Sequence, residues 1–198
     1  MNNATQNNSA TTVAVPVPAK LAHVVLRTSQ FQQMQDWYLR VLAARTIYAD
    51  QGLAFLTYDE EHHRIALLNA PDLKPQAEGA AGVHHIAFTY ATLGDLVITY
   101  ERLRGLDIVP VYCTNHGPTT SLYYQDPDGN QIELQVDNFD TIEEATEFFY
   151  SEDFAENPIG VDFDPAVLAQ RYHAGEGDAV IKRRTRIGRR GLDSLPLR

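Results

Sequence analysis

The strongest constraint on the fold of this chain is an internal repeat in which each copy carries a histidine within an apolar strand. The segment 21–26, LAHVVL, reappears as VHHIAF at 83–88, so that His23 corresponds to His85. The second copy continues to a third ionisable residue, Glu133, in another apolar run. Corresponding histidines in a repeat indicate a duplicated scaffold that builds one shared site. Imidazole and carboxylate groups are metal-ligand types, and the repeat therefore predicts a metal site.

The apolar periodicity predicts the same order of elements in both halves: a strand, an amphipathic helix and three further strands. In the first half we expect a helix from about Ser29 and strands at 21–27, 45–49, 52–58 and 64–68. In the second half we expect a helix at 93–103, ended by a left-handed Gly105, and strands at 83–90, 108–113, 120–124 and 132–136. The chain is thus predicted to be an α+β protein built from two βαβββ modules.

Charge and composition exclude several classes of function. A formal net charge of −10 and a pI near 5.0 argue against nucleic acid as the main partner. No apolar run approaches the ~18–20 residues that cross a bilayer, so we expect no membrane partner. The single cysteine, Cys113, excludes an intramolecular disulfide framework, and we expect a reducing, cytoplasmic location.

Paired βαβββ modules with a histidine on the first strand of each resemble the vicinal oxygen chelate superfamily. Over about residues 20–137 the particular residues look like a one-domain type I extradiol, ring-cleaving catechol dioxygenase. The resemblance implies a curved mixed sheet around a metal site, the glyoxalase/bleomycin-resistance-like fold. It also implies that His23, His85 and Glu133 hold Fe(II), with Mn(II) as the alternative ion and O2 as co-substrate. Two imidazoles and one carboxylate leave metal positions open, as binding of a catechol and dioxygen together requires.

Three further residues are similar to the catalytic residues of that family. His63, in the segment EHHRIA at 61–66, matches the acid–base histidine, and His62 remains a rival for this role. His116, in Asn-His-Gly at 115–117, matches a second active-site histidine. Tyr123, three residues before an aspartate, matches the family tyrosine. The resemblance implies that His116 and Tyr123 donate hydrogen bonds to the bound oxygens.

A difference between the two halves separates the members of this superfamily. Aligning RIAL at 64–67 with QIEL at 131–134 places Ala66 where the second half has Glu133. Glyoxalase-type members use a fourth protein ligand near that place, so the alanine favours the dioxygenase reading. A glyoxalase- or epimerase-like metalloenzyme, with a fourth ligand from Glu60 or Glu61, remains an alternative. A third hypothesis is a non-catalytic protein that binds a small aromatic molecule.

The domain organisation follows from these patterns. Residues 1–19, rich in Asn, Thr, Ala and Pro, lack a secretory-signal pattern and are predicted to be a flexible extension. Residues 20–174 are predicted to be one catalytic domain, with modules at about 20–70 and 82–138 and a C-terminal packing segment. Residues 175–198 form a basic tail, predicted to be solvated or to clamp an acidic face of its own protein, with an anionic or subunit partner as the alternative. We expect a small aromatic diol as substrate and a homo-oligomer.

Overall fold

Two βαβββ modules of similar length make up most of the computed structural model, which describes residues 15–77 and 79–194. The first module contains β1 (Val24–Thr28), α1 (Phe31–Val41), β2 (Arg45–Ala49), β3 (Leu53–Thr57) and β4 (Ile65–Asn69). The second contains β5 (His85–Tyr90), α2 (Leu93–Arg104), β6 (Tyr112–Asn115), β7 (Thr119–Gln125) and β8 (Gln131–Asp137). The predicted α+β class and the repeated order of elements are confirmed.

Each module forms its own mixed sheet, with strand order β1-β4-β3-β2 in the first and β5-β8-β7-β6 in the second. The first and last strands of each module pair in parallel, and the other neighbours are antiparallel. Val25, two residues after His23, pairs with Ala66, and Ala87, two residues after His85, pairs with Glu133. The register of the sheets therefore agrees with the alignment of Ala66 with Glu133.

The alternation of side chains along the strands separates a core face from a site face. In β8, Ile132, Leu134 and Val136 are buried in the core, and Glu133 lies on the opposite face between the first two. Helices α1 and α2 contribute fully buried residues to the same core, among them Met34, Tyr38, Leu96 and Leu103. Because the core residues lie on one face of each sheet, the opposite face is free to carry polar side chains such as Glu133.

Hydrogen bonds join the two modules into one unit. The hydroxyl of Tyr38 in α1 donates to the buried carboxylate of Asp126 in the second module at 3.1 Å. Arg102 in α2 donates to the carbonyls of Arg40 and Val41 at the end of α1. These contacts, 62 and 88 residues apart in sequence, fix the modules relative to each other.

The chain after the second module packs over it. Its elements are α3 (Ile142–Phe149), α4 (Glu152–Glu156), β9 (Val161–Asp162), α5 (Pro165–His173), α6 (Asp178–Ile181) and a 3-10 turn (Leu192–Ser194). β9 pairs with β6 and extends the second sheet to five strands. Asp164 caps α5, because its carboxylate accepts from the N–H of Ala166. Most of the predicted N-terminal extension, residues 1–14, lies outside the described residues.

Three local predictions differ from the structure. Helix α1 begins at Phe31 with Gln30 as N-cap and no side-chain cap, two residues after the predicted start at about Ser29. Gly105 ends α2 in a right-handed conformation, with φ −66°, and not in the left-handed one. Strand β6 begins at Tyr112 because Pro110 cannot donate to a sheet ladder. Within residues 15–77 and 79–194, none of the helices has the length and apolar character that crossing a bilayer requires.

Candidate active site

His85 and Glu133 form a close pair on neighbouring parallel strands. Their side chains meet with His85 Nε2 3.0 Å from Glu133 Oε2. Glu133 is only 5% exposed, and this burial raises its pKa, but hydrogen bonds with His85 and Ser121 outweigh burial and lower the pKa overall. The carboxylate is therefore ionised at neutral pH. A buried, ionised carboxylate against an imidazole is a donor pair that suits a divalent metal ion.

Tyr123 lies beside this pair and links it to His116. On β7 it is the cross-strand partner of Glu133, its ring makes an edge contact with His85, and it stacks on Tyr112 with centroids 4.1 Å apart. Burial, then the charge of Glu133, raises the pKa of Tyr123, so its hydroxyl stays protonated. The hydroxyl oxygen lies 2.8 Å from His116 Nε2. Burial lowers the pKa of His116, which favours the neutral imidazole.

His63 lies in a separate aromatic cluster of the first module. Its ring stacks on Phe55 at 4.5 Å and lies 4.3 Å from the ring of His23. Burial, then the nearby His23 and His62, lowers the pKa of His63. His62 Nδ1 lies 2.6 Å from His63 Nδ1, and the His62 side chain is 69% exposed. Of the two rival histidines, His63 is therefore the one that packs against a predicted metal ligand.

The predicted site residues thus fall into two groups. His85, Glu133, Tyr123 and His116 form one connected set in the second module, and His23 packs with His63 in the first. In the part of the chain that the structure describes, no three His, Cys, Asp or Glu side chains gather into a group that could hold a metal ion. The set of three ligands therefore stays a prediction, with two of its members in contact.

The sheet register also shows which residue of the first module corresponds to Tyr123. Phe55 is the cross-strand partner of Ala66, as Tyr123 is of Glu133, so Phe55 occupies the place of Tyr123 in the first module. The first module thus presents Phe55 and Ala66 where the second presents a phenol and a carboxylate. Extending the sequence repeat through the third strand of each module could have revealed this correspondence.

An arginine that the sequence does not mark as functional holds the chain next to His23. The guanidinium of Arg64 donates to the carbonyls of Leu21 and Ala22 at 2.7 and 3.1 Å. Its other nitrogens bind both carboxylate oxygens of Asp59, at 2.9 to 3.2 Å. The contact between positions 21 and 64 forms only on folding, and no local sequence pattern indicates it.

The ion pair of Asp59 with Arg64 predicts a pH dependence of stability. Hydrogen bonds from Arg64 lower the pKa of Asp59 to about 2, against about 3.9 in an unfolded chain. The folded pKa is the lower one, so the stabilisation is complete above about pH 4 and is lost as the pH falls towards 2. Because the Asp59 side chain is 37% exposed, we expect a contribution of about 1 kcal/mol or less. Unfolding by denaturant between pH 6 and 2.5 measures it.

Asp59→Asn should lose this contribution at neutral pH and show a shallower fall in stability between pH 4 and 2.5. The matched control is Asp72→Asn, since the exposed Asp72 makes no such contact in the described chain. Parallel curves for wild type and Asp59→Asn over this range would contradict the prediction.

Comparisons with known proteins agree with this fold. The family model described as Glyoxalase/Bleomycin resistance protein/Dioxygenase superfamily matches residues 20–134. Biphenyl-2,3-diol 1,2-dioxygenase 2 of Rhodococcus globerulus is 55% identical over 157 residues, 79% of this chain and 83% of the relative. Biphenyl-2,3-diol 1,2-dioxygenase 3 of the same organism is 47% identical over 161 residues, 80% of this chain and 85% of the relative.

Solved structures show the fold independently. The glyoxylase/bleomycin resistance protein/dioxygenase domain from Frankia sp. EAN1pec superposes with a TM-score of 0.52. The superposition covers 65% of this chain and 99% of that domain, at 17% sequence identity. At this identity the likeness concerns the fold alone, and it supports the paired βαβββ architecture.

Proposed function

Because the chain belongs to the glyoxalase/bleomycin resistance protein/dioxygenase superfamily, we propose that it is an extradiol dioxygenase acting on a catechol-type aromatic diol. The enzyme would use O2 to open the ring beside the two hydroxyl groups. One observation carries the proposal: the connected set His85, Glu133, Tyr123 and His116 lies in a chain 55% identical to a biphenyl-2,3-diol 1,2-dioxygenase. A substituted catechol of that kind is the substrate class that the relatives favour.

We propose that His23, His85 and Glu133 hold a non-haem Fe(II), with Mn(II) as the alternative. The donor set fits, because it pairs two imidazoles with a carboxylate that is buried and ionised. His23 immediately precedes β1, and His85 is the first residue of β5. Each lies two residues before the strand position that pairs with Ala66 or Glu133, so the two histidines occupy equivalent places in the modules. When bound, the ion supplies Lewis-acid and redox chemistry towards the diol and O2.

The other side chains are proposed to bind and to move protons. His63, packed against His23, would accept a proton from the diol and return it as the ring opens. Tyr123 keeps its proton and stands beside Glu133. Its single hydrogen points to His116 Nε2 before the diol binds and would turn to an oxygen on which charge develops. His116 would assist Tyr123 through the contact between Nε2 and the phenol oxygen. Phe55 and Tyr112 would flank the bound ring.

A four-ligand glyoxalase- or epimerase-like activity is less well supported. Ala66 occupies the register position that corresponds to Glu133 and offers no ligand. Glu61, a candidate for a replacement ligand, pairs with Lys20. The non-catalytic alternative predicts tight binding of an aromatic molecule without any use of O2, and the assay below separates it from the enzyme.

The test is oxygen consumption by the protein loaded anaerobically with Fe(II). On a panel of 2,3-dihydroxybiphenyl, monocyclic and bicyclic catechols and hydroquinones, we expect O2 uptake and a yellow ring-opened product with at least one catechol. Protein loaded with Zn(II), which has no redox chemistry, is the matched control and should bind the diol without taking up O2. Iron-loaded protein that consumes no O2 with any member of the panel would overturn the proposal. The homo-oligomer and the cytoplasmic location stay predictions, and light scattering tests the first.

A further inference from the structure

The basic segment 182–190, from Lys182 to Arg190, lies against the loop that carries His116. We propose that Arg184 in this segment is a positioning residue for His116 and acts through the carbonyl of Ile159. The inference rests on the proposed function in one respect only, that His116 belongs to the active site. It gives the basic tail a task that the sequence does not reveal.

The first step concerns the ring of His116. Its Nδ1 contacts the backbone carbonyl oxygen of Ile159, and its Nε2 lies 2.8 Å from the hydroxyl of Tyr123. A carbonyl oxygen only accepts, so Nδ1 carries the hydrogen of the neutral ring. Nε2 is then an acceptor and receives the hydrogen bond of the Tyr123 hydroxyl. The Ile159 carbonyl thereby selects the tautomer and aims Nε2 at the site.

The second step is how the Ile159 carbonyl is held in place. The buried Asn157 accepts with Oδ1 from the N–H groups of Ile159 and Gly160, at 3.1 and 2.7 Å. Its Nδ2 donates to the carbonyl of Gly160 at 3.0 Å. Gly160 has φ +120°, and a Cβ on it would lie 2.4 Å from the carbonyl oxygen of Asn115. The loop 157–160 is therefore closed by its own hydrogen bonds and lies directly against the backbone that precedes His116.

The third step is the guanidinium of Arg184, which bridges the two segments. Nη1 donates to the carbonyl of His116 at 3.1 Å, and Nη2 donates to the carbonyl of Asn157. The guanidinium also lies 5.5 Å from the ring centroid of Phe148, which packs against Gly117. A planar fork can hold two carbonyls at a fixed separation, and a lysine ammonium on a flexible stem cannot do so equally well. Arg184 thus sets the distance between His116 and the loop that carries Ile159.

The neighbouring Arg183 provides a matched control within the same segment. It has the same charge, is exposed, and makes no side-chain hydrogen bond or ion pair with the described residues. Replacing each arginine by methionine removes one positive charge in both variants. Only the Arg184 variant removes the bridge.

The kinetic test uses the full chain loaded with Fe(II) and a catechol that the wild type cleaves. We expect Arg184→Met to lower kcat roughly 10- to 100-fold, the usual effect of losing a partner that orients a functional histidine. Iron content should be unchanged and KM should change by about twofold or less, because substrate and metal contacts remain. Arg183→Met should match the wild type. Arg184→Lys keeps the charge but has a single donor nitrogen in place of the planar fork. Its kcat should fall between those of the two methionine variants, and it carries the test if Arg184→Met does not fold.

The spectroscopic test reads the ring directly and needs no turnover. In protein labelled with 15N-histidine at neutral pH, with His116→Gln to assign the signal, wild-type His116 should show the Nδ1–H tautomer. Arg184→Met should show a mixture of tautomers, and Arg183→Met should not. Unchanged tautomer and kcat in Arg184→Met, equal losses in both methionine variants, or a loss confined to KM or iron content would each overturn the inference. If no catechol is cleaved by the wild type, the proposed function fails, but the tautomer comparison still decides the role of Arg184.

Discussion

Glu133→Gln should abolish stable iron binding and, with it, oxygen uptake. Glutamine keeps the volume of the buried side chain but removes the only anionic donor of the proposed triad, next to His85 at 3.0 Å. A neutral amide is a much weaker ligand for Fe(II) than a carboxylate. The loss of metal affinity should therefore exceed the roughly 10- to 100-fold that loss of an outer partner of a ligand costs. Metal analysis after anaerobic loading and gel filtration measures it directly.

Gln135→Ala is the matched control for this variant. Gln135 lies two residues further along β8, on the same face of the strand as Glu133, and its amide donates to Thr89 and not to a proposed ligand. It should retain iron and turnover. Normal iron content in Glu133→Gln would show that the carboxylate is not a ligand, and His85 would then need another partner.

The sequence predicts those site residues whose positions follow from the internal repeat and from the alternation of side chains along each strand. A repeat aligned on His23 and His85 fixes which strand positions correspond, since side chains alternate faces with a period of two. Ala66 and Glu133 indeed occupy equivalent register positions, and His85 indeed reaches Glu133. These relations could be predicted because each joins the first and last strands of a module, and the repeated order of strands and helix already implies that those two strands pair.

The support around His116 could not be predicted in the same way. Ile159 and Arg184 lie 43 and 68 residues from His116 in sequence, and their contacts depend on how the C-terminal chain folds back over β6. Likewise, Arg64 reaches Leu21 across 43 residues. Neither the composition of the chain nor its apolar periodicity indicates which backbone carbonyl a given arginine side chain will bind. The predicted start of α1 at about Ser29 and the predicted left-handed end of α2 at Gly105 differ from the structure for a related reason, since tertiary packing decides where a helix begins and ends.

The two modules differ at two positions of the proposed site. The second presents Glu133 and Tyr123, and the corresponding positions of the first carry Ala66 and Phe55. A duplicated fold with four equivalent ligands would surround a metal symmetrically. With Ala66 and Phe55 at these positions, the first module would offer the proposed ion no further ligand and would present an apolar wall to the substrate. That asymmetry suits a flat aromatic diol.

His63→Ala should retain iron and lose most of the turnover. Proton transfer by a positioned histidine contributes roughly 10²- to 10⁴-fold to a rate, and we expect a fall in kcat within that range. The expectation rests on position: His63 packs between His23 and Phe55, next to where the diol would bind. Single-turnover oxygen uptake, with iron content measured on the same samples, separates this effect from loss of metal.

His62→Ala is the matched comparison, since His62 is adjacent to His63, in contact with its ring and exposed. Because His62 Nδ1 lies 2.6 Å from His63 Nδ1, His62→Ala also removes a hydrogen-bond partner of His63, and we expect a fall in kcat that is much smaller than that of His63→Ala. The pair of variants therefore decides between the two histidines. If His62→Ala loses turnover while His63→Ala keeps it, the acid–base role belongs to His62, and the packing of His63 against His23 serves the fold alone.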